Sequence, residues 1–229
     1  MIIGIIGAMN EEIQPFLKLF DTHEKIEFGK NVYYRISYNN TEIYLAYSKI
    51  GKVHAAITAS SMILQFKCEK IIFSGVAGGL QGLKVGDLLL ATKLCQHDVD
   101  ISAFGHPLGF IPESQVFIES DSSLNAIAKE VAKDSGIHLY EGVVASGDQF
   151  IHSIEKKQWI LKHFNAIAVE MEGASVAVAC DCLGVPFCRL RSLSDSAEGE
   201  ADGSFDEFLE SSAKISAQFV KKMIDKIIK

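Results

Sequence analysis

Short apolar segments rich in β-branched residues alternate along the chain with segments of helical period, and this alternation restricts the possible folds more than any other feature. The predicted strands are residues 2–6, 33–37, 42–47, 70–74, 87–92, 142–146, 166–170 and 187–194. The predicted helices are residues 11–20, 52–66, 124–135, 154–163 and 173–183, with a last helix that begins near Ser204. Strands that alternate with helices indicate a largely parallel sheet with helices on its faces.

Two local patterns refine this prediction. A Tyr-Asn-Asn-Thr turn at 38–41 separates the second and third predicted strands, which therefore form a hairpin and make the sheet mixed. Ser204 and Glu207 match the S-x-x-E capping box of a helix N-terminus. No internal repeat and no Pro- or Ser-rich linker divides the sequence. We therefore predict an α/β fold, a single domain over residues 1–229 with a mixed β-sheet flanked by helices.

Composition excludes several classes of function. Acidic side chains outnumber basic ones by 29 to 22, so a broad nucleic-acid surface is not expected. No apolar run approaches the ~20 residues of a membrane helix. The apolar run at 1–9 lacks a basic leading region, so we interpret it as the first strand and not as a signal peptide. Five cysteines without a CxxC pair predict reduced thiols, which are typical of the cytoplasm.

Common catalytic signatures are missing from the sequence. It contains no GxGxxG, no Walker loop, no GxSxG and no HExxH. His97, Asp98 and Asp100 lie close together in sequence, but they are too few and lack the spacing of a closed metal site. We therefore expect no metal and no cofactor.

Carboxylates stand at the ends of three predicted strands. Glu11 and Glu12 follow the first strand, Glu170 and Glu172 end the seventh, and Asp195 ends the eighth. Open α/β sheets bind ligands at the carboxyl ends of their strands, although any single acid there can also simply stabilise a helix N-terminus. The glycine-rich run at 75–79 after the fourth strand suits either a tight turn or close approach of a ligand to the backbone.

Several acids in one site are costly to desolvate unless one holds a proton or a cationic species lies between them. A reaction that develops positive charge on a bound sugar supplies such a species. Arginine is scarce, since only Arg35, Arg189 and Arg191 occur in this chain.

Nine motifs carry a family resemblance over nearly the whole chain. They are IGIIGAMNEE at 3–12, SKIGK at 48–52, GVAGG at 75–79, KVGD at 84–87, DISAFG at 100–105, SGDQFI at 146–151, VEME at 169–172, RSLSD at 191–195 and SFDEF at 204–208. In this order they resemble the bacterial 5'-methylthioadenosine/S-adenosylhomocysteine nucleosidases of the nucleoside phosphorylase superfamily. The resemblance implies a nucleoside phosphorylase-like fold and hydrolysis of the N-glycosidic bond of methylthioadenosine, S-adenosylhomocysteine and 5'-deoxyadenosine. Adenine and a 5-thioribose sugar would be released, in methionine salvage and the activated-methyl cycle.

The resemblance also implies roles for individual residues. Glu12 is expected to activate the attacking water, and Asp195 to give or share a proton at adenine N7 with support from Ser194. Glu172, beside Met171, is expected to bind the ribose hydroxyls. The expected substrate-binding set is Val76, Gly78, Phe150, Ile151, Glu170, Met171, Glu172, Arg191, Ser194, Phe205, Ile101 and Phe104.

Within that set the resemblance assigns particular contacts. Phe150 stacks on adenine, the Ile151 backbone reads the base edge, and Phe205 is an aromatic lid near the sugar. Ile101 and Phe104 reach into the alkylthio pocket of a neighbouring subunit, which implies a homodimer. Two departures qualify the match: Val76 stands where many members carry Ser or Thr, and Asn10 replaces a common Glu.

Two alternatives stay open at the level of sequence. A purine nucleoside phosphorylase shares the fold but uses phosphate in place of water. A nucleoside-binding or sensing protein that has lost catalysis would also keep the cavity, although Glu12, Glu172 and Asp195 are all present here.

Overall fold

A computed structural model describes residues 1–20, 22–80, 82–195 and 201–229, with the backbone alone at 195 and 201–207. The strands are β1 (Ile2–Gly7), β2 (Glu24–Phe28), β3 (Asn31–Tyr38), β4 (Thr41–Tyr47), β5 (Lys70–Gly79), β6 (Leu88–Gln96), β7 (Ile118–Glu119), β8 (Leu139–Ser146), β9 (Ala166–Glu170) and β10 (Phe187–Asp195). The helices are α1 (Asn10–Leu19), α2 (Lys52–Leu64), α3 (Ser122–Asp134), α4 (Ile154–Phe164), α5 (Gly173–Cys182) and α6 (Ala201–Ile227). None of the helices within these ranges is long and apolar enough to cross a membrane.

The strands of the described chain join in one mixed sheet. Its order is β10-β6-β8-β9-β5-β1-β4-β3-β2, with β7 paired to β6. An additional parallel pairing between β10 and β5 makes the run β5-β10-β6-β8-β9 return on itself as a ring. β1, β5 and β10 run parallel, so their carboxyl ends meet at the same edge. This confirms the predicted α/β class with a mixed, helix-flanked sheet.

The two faces of the sheet bury separate apolar layers. Ile71 and Phe73 of β5 face a layer that includes the small residues of α2 and α5, such as Ala59 and Ala177. Ile72, one residue between them, packs with α1, α3 and α6 on the other face. Successive side chains of a strand point to opposite faces, so β5 is apolar on both and reads in sequence as a continuous hydrophobic run.

The hairpin between β3 and β4 forms as the sequence predicts. The strands pair antiparallel from Tyr38 opposite Thr41 to Tyr34 opposite Leu45. Asn39 and Asn40 adopt φ values of 46° and 61°. Positive φ at both central residues is the requirement of a tight two-residue hairpin turn, and asparagine tolerates it.

Three sequence predictions differ from the structure. The capping box at Ser204 and Glu207 is wrong, because α6 is already helical from Ala201. The glycine-rich run at 75–79 is not a turn but the continuation of β5. The strands β2 and β7 were not predicted, since β2 is a largely exposed edge segment with two glutamates and β7 has only two residues.

Candidate active site

A cavity opens where the parallel strands β1, β5 and β10 end and β9 meets them. Val169 of β9 pairs with Gly78 of β5, and Asp195 of β10 lies opposite the same glycine. The cavity has a volume of about 160 Å³ for water-sized molecules and is partly open to solvent. Nine residues predicted from sequence line it: Glu12, Val76, Gly78, Phe150, Ile151, Glu170, Met171, Glu172 and Ser194.

Glu12 is held rigidly at the floor of this cavity. It lies in the first turn of α1, its exposed fraction is 1%, and the turn follows directly from the end of β1. One carboxylate oxygen accepts hydrogen bonds from the backbone N–H groups of Ala8 and Met9, the latter at 3.1 Å. The other accepts from Val76 N–H at 2.8 Å and from Arg191 Nη1 at 3.2 Å. Four donors therefore fix its orientation.

Gly75 has a specific reason to be glycine. Its φ is +154°, and a Cβ at this position would collide with the Glu12 carboxylate and the Arg191 guanidinium. The sequence suggested that this glycine run admits a ligand or makes a turn. The turn is wrong, since β5 continues through this run, whereas Val76, Ala77 and Gly78 line the cavity. Gly75 itself makes room for the two charged side chains that meet behind the cavity.

Glu170 is saturated by protein donors. Its two oxygens accept hydrogen bonds from Ser146 Oγ, from both Arg189 and Arg191, and from the Gly173 backbone N–H at 3.0 and 2.8 Å. Glu172 N–H adds a longer contact at 3.2 Å. A carboxylate with so many partners orients its neighbours and has little capacity left for substrate hydroxyls.

Arg191 links the acids from behind. Its guanidinium is 1% exposed and lies 2.8 Å from Glu170, 3.2 Å from Glu12 and 3.6 Å from Glu172. It is absent from the described lining of the cavity. Its visible contacts therefore assign it to positioning the acids, whereas the sequence placed it among the substrate-binding residues.

Glu172 is a buried acid whose neighbouring donors do not offset the effect of burial on its pKa. Burial raises its pKa to about 7, against the opposing effects of Arg191 and of the Gly51 N–H, and the nearby Glu12 raises it further. The Gly51 N–H donates to Glu172 Oε1 over 2.9 Å. Near neutral pH Glu172 is therefore partly protonated. A carboxyl so perturbed beside a cavity is a typical functional group.

The cavity walls are mostly apolar. Six residues that line the cavity were not predicted from the sequence: Ala8, Met9, Ile50, Ala77, Gln149 and Val169. Each lies within the motifs quoted above, and all but Ile50 lie one to four residues from a predicted site residue. Phe150 is 47% exposed, so its ring is accessible, whereas the next residue, Ile151, is buried.

Two of the remaining predicted residues, Ile101 and Phe104, are not among the described residues that line this cavity. Ile101 directly precedes and Phe104 ends a short 3₁₀ turn, Ser102–Phe104, and Phe104 is 81% exposed. The side chains of Asp195 and Phe205 lie outside the described residues. The backbone of Asp195 nevertheless ends β10 beside the cavity, as its pairing with Gly78 shows.

Comparison with known proteins gives a consistent family assignment. Residues 2–229 match the model of the Phosphorylase superfamily. The chain is 60% identical over 227 residues to an aminodeoxyfutalosine nucleosidase of Helicobacter pylori, covering 98% of each chain. It is 39% identical to a 5'-methylthioadenosine/S-adenosylhomocysteine nucleosidase of Actinobacillus succinogenes, again covering 98% of each.

A solved structure agrees with these relatives. An Asp-to-Asn mutant of the Helicobacter pylori nucleosidase MTAN, with 5'-methylthioadenosine in its active site, superposes with a TM-score of 0.96 at 59% identity, over 98% of each chain. The likeness extends over essentially the full length of both molecules. The chain thus belongs to the phosphorylase superfamily and, within it, to the family of the bacterial 5'-methylthioadenosine/S-adenosylhomocysteine nucleosidases.

Proposed function

We propose that this protein is an N-glycosyl hydrolase that cleaves 5'-substituted adenine nucleosides, with methylthioadenosine and S-adenosylhomocysteine as substrates, to adenine and a free 5-substituted sugar. The single observation that carries this proposal is that Glu12 and Glu172, both buried, line one cavity together with the exposed face of Phe150. The relatives named as nucleosidases support the same reaction class. 5'-Deoxyadenosine is a further expected substrate, and the reaction would serve methionine salvage and the activated-methyl cycle.

The geometry suits the charges that the reaction creates. Cleavage leaves electrons on adenine and positive charge on the ribose ring. Glu12 is the proposed base for the attacking water, and ionised Glu172 is the proposed acceptor for the ribose hydroxyls. Positioned carboxylates of this kind stabilise a developing cation, and a general base contributes ~10² to 10⁴-fold in rate.

The leaving base is expected to bind at the other end of the cavity. Phe150 would stack on adenine, and the Ile151 backbone would read its edge. Asp195, with Ser194, is proposed to give or share a proton at N7. Ser194 is buried and lines the cavity, and Asp195 follows it at the end of β10, which supports this placement.

The charge distribution favours water over phosphate as nucleophile. None of the cavity-lining side chains in the described part of the chain is cationic. Arg189 and Arg191 are buried against Glu170 and Glu12. A phosphate dianion would therefore meet carboxylates without compensating charge, and anion sites require donors or cations directed at the ligand.

Aminodeoxyfutalosine is a second candidate substrate. Relatives at 60% and 53% identity are named for it, while a solved structure at 59% identity, named MTAN, holds 5'-methylthioadenosine in its active site. Because the same adenine and ribose contacts would serve either nucleoside, both substrates belong to one reaction. The substituent at the 5' position is what distinguishes them.

Adenine release in phosphate-free buffer tests the proposal. Purified protein should release adenine from methylthioadenosine, S-adenosylhomocysteine and aminodeoxyfutalosine, and the three kcat/KM values rank the substrates. Added phosphate should leave the rate unchanged and form no sugar 1-phosphate. Release that requires phosphate would instead identify a phosphorylase, and binding without release would identify a sensing protein.

A homodimer in the cytoplasm completes the proposal. Exposed apolar side chains on and beside the first turns of α2, including Ile50, Val53 and Ile57, support an interface, as does Phe104. Ile101 and Phe104 would then reach the neighbouring site. Sedimentation velocity should give a dimer for wild type and a weakened dimer for Phe104→Ala. A monomeric wild-type protein would rule out the shared site.

A further inference from the structure

One largely buried ion pair near the cavity, between two partly exposed residues, has no role in the proposed chemistry. Lys52, the first residue of α2, places its Nζ 2.6 Å from Asp98 Oδ1 and 3.0 Å from Gln96 Oε1. The side chains of Lys52 and Asp98 are only 15% and 16% exposed. A pair this shielded is screened little by solvent, so it constrains the segments that carry it far more than a surface pair would.

Asp148 closes this pair into a ring of contacts. The second oxygen of Asp98 accepts a hydrogen bond from the Asp148 backbone N–H at 2.9 Å. The Asp148 carboxylate in turn accepts from the Lys52 backbone N–H at 2.8 Å. Three segments are thereby joined, namely the start of α2, the residues after β6 and the residues after β8.

Two residues of this ring, Lys52 and Asp148, are close in sequence to residues of the candidate site. Gly51 precedes Lys52, and its N–H donates to Glu172 Oε1 at 2.9 Å. Phe150 stands two residues after Asp148 and lines the cavity. Gly51 has a φ of +101°, and a Cβ there would approach Asp148 Oδ1 to 3.2 Å. The backbone that carries the Gly51 donor is thus held in a conformation that glycine permits and that Asp148 packs against.

The charges around these groups show which contacts matter. Glu172 faces Arg191 from β10, Glu12 from α1 and Glu170 from β9, all within the buried acid cluster. The Gly51 N–H is the donor that reaches Glu172 from α2, outside that cluster.

Asp98 itself is held in its charged form. Although burial favours the neutral acid, the hydrogen bonds from Lys52 and from Asp148 N–H keep its pKa below the ordinary value. An ionised Asp98 is the form that can accept from both donors.

We propose that Lys52 and Asp98 are positioning residues of this enzyme, which act through Asp148 to hold the Gly51 N–H on Glu172 and to fix the Phe150 segment against the bound nucleoside. This inference rests on the function proposed above. Neither residue touches substrate. Their effect is on nucleoside binding and on the protonation of Glu172, while the cleavage step at Glu12 is left intact.

Steady-state kinetics across pH test the inference. Asp98→Asn and Lys52→Met should raise KM by about 10- to 100-fold, the range for one hydrogen bond to a charged group, with kcat at high pH changed far less. The acidic limb of kcat/KM should move to higher pH by about one unit or more, because Glu172 loses a donor that favours its charged form. Lys52→Arg keeps the charge and should recover most of both losses.

Lys129→Met is the matched control, because Lys129 also pairs with a carboxylate, Glu141, but is 51% exposed on α3. It should match wild type in KM and in pH profile. Equal losses in kcat and kcat/KM for Asp98→Asn, or an unshifted acidic limb, would overturn the inference. Far-UV circular dichroism and sedimentation check that the variants fold and assemble. If Asp98→Asn does not fold, the two variants Lys52→Met and Lys52→Arg carry the test.

A second readout separates this inference from the proposed function. The ¹³C resonance of the Glu172 side-chain carboxyl, followed by NMR titration in ligand-free protein, should titrate at higher pH in Asp98→Asn than in wild type. This result needs no turnover. Failure of wild type to release adenine would refute the proposed function alone, whereas an unchanged Glu172 titration would refute the link from Asp98 to the site.

Discussion

Replacement of Glu172 by Gln should make the ligand-free protein gain stability over wild type as the pH rises. Burial raises the pKa of Glu172 from 4.5 to about 7, so the folded protein keeps a proton that the unfolded chain releases. The stability that this proton contributes is complete below pH 4.5 and is lost as the pH rises to about 7. A pKa change of this size corresponds to ~3 kcal/mol. Gln carries no titrating group and avoids the loss.

Urea unfolding of wild type and Glu172→Gln at intervals from pH 4.5 to 8.5 measures this difference. Groups that titrate in both proteins cancel, so the free-energy difference between them isolates residue 172. Glu119→Gln is the control, because Glu119 is 71% exposed and its difference from wild type should stay nearly flat. A Glu172→Gln difference that is equally flat would refute the claim that burial dominates at this position.

Three further predictions concern the proposed chemistry and the fold. Glu12→Gln and Asp195→Asn should each lose ~10²-fold or more in turnover while nucleoside binding, measured by calorimetry, survives; near-normal rates would remove that residue from the mechanism. Phe150→Ala should weaken adenine binding by about 1 to 3 kcal/mol, and an unchanged inhibition constant for adenine would show that Phe150 does not stack on it. Residues 1–229 should unfold in one transition, seen equally by far-UV circular dichroism and Trp159 fluorescence, if they form one domain; transitions that separate would show independent units.

The elements of the sheet were predictable where pattern and local chemistry agree. The segment at 166–170 is apolar and is bounded by Asn165 and by the acid pair that ends it, and β9 spans the predicted residues. The hairpin turn follows from two asparagines that tolerate positive φ. At residues 75–79 the sequence left a turn open, because glycine is normally unfavourable in a strand and signals a turn. Here β5 continues, since Gly75 makes room for Glu12 and Arg191, which come from distant parts of the chain.

The candidate site, too, was predictable from the sequence only in part. That acids gather at the strand ends follows from sequence, because parallel strands bring their carboxyl ends together. Which acid is free for substrate does not follow, since Glu170 and Glu172 are two residues apart and identical in type. Only the fold shows that Glu170 is occupied by Arg189, Arg191 and Ser146, while Glu172 keeps an unbalanced environment.

The buried charges also explain why this site would prefer a sugar that becomes cationic. Among the described side chains the cluster holds three carboxylates, Glu12, Glu170 and Glu172, but only two guanidiniums, Arg189 and Arg191. A proton retained on Glu172 offsets the excess negative charge of this cluster. A ribose whose hydroxyls donate to Glu172 favours its ionised form, and the positive charge that develops on the ring then compensates it. Interactions that strengthen only as that charge appears lower the barrier without overstabilising the bound substrate. Burial thus makes the ionised form of Glu172 unfavourable before the reaction, and the same ionised carboxylate is stabilised when positive charge develops on the ribose ring.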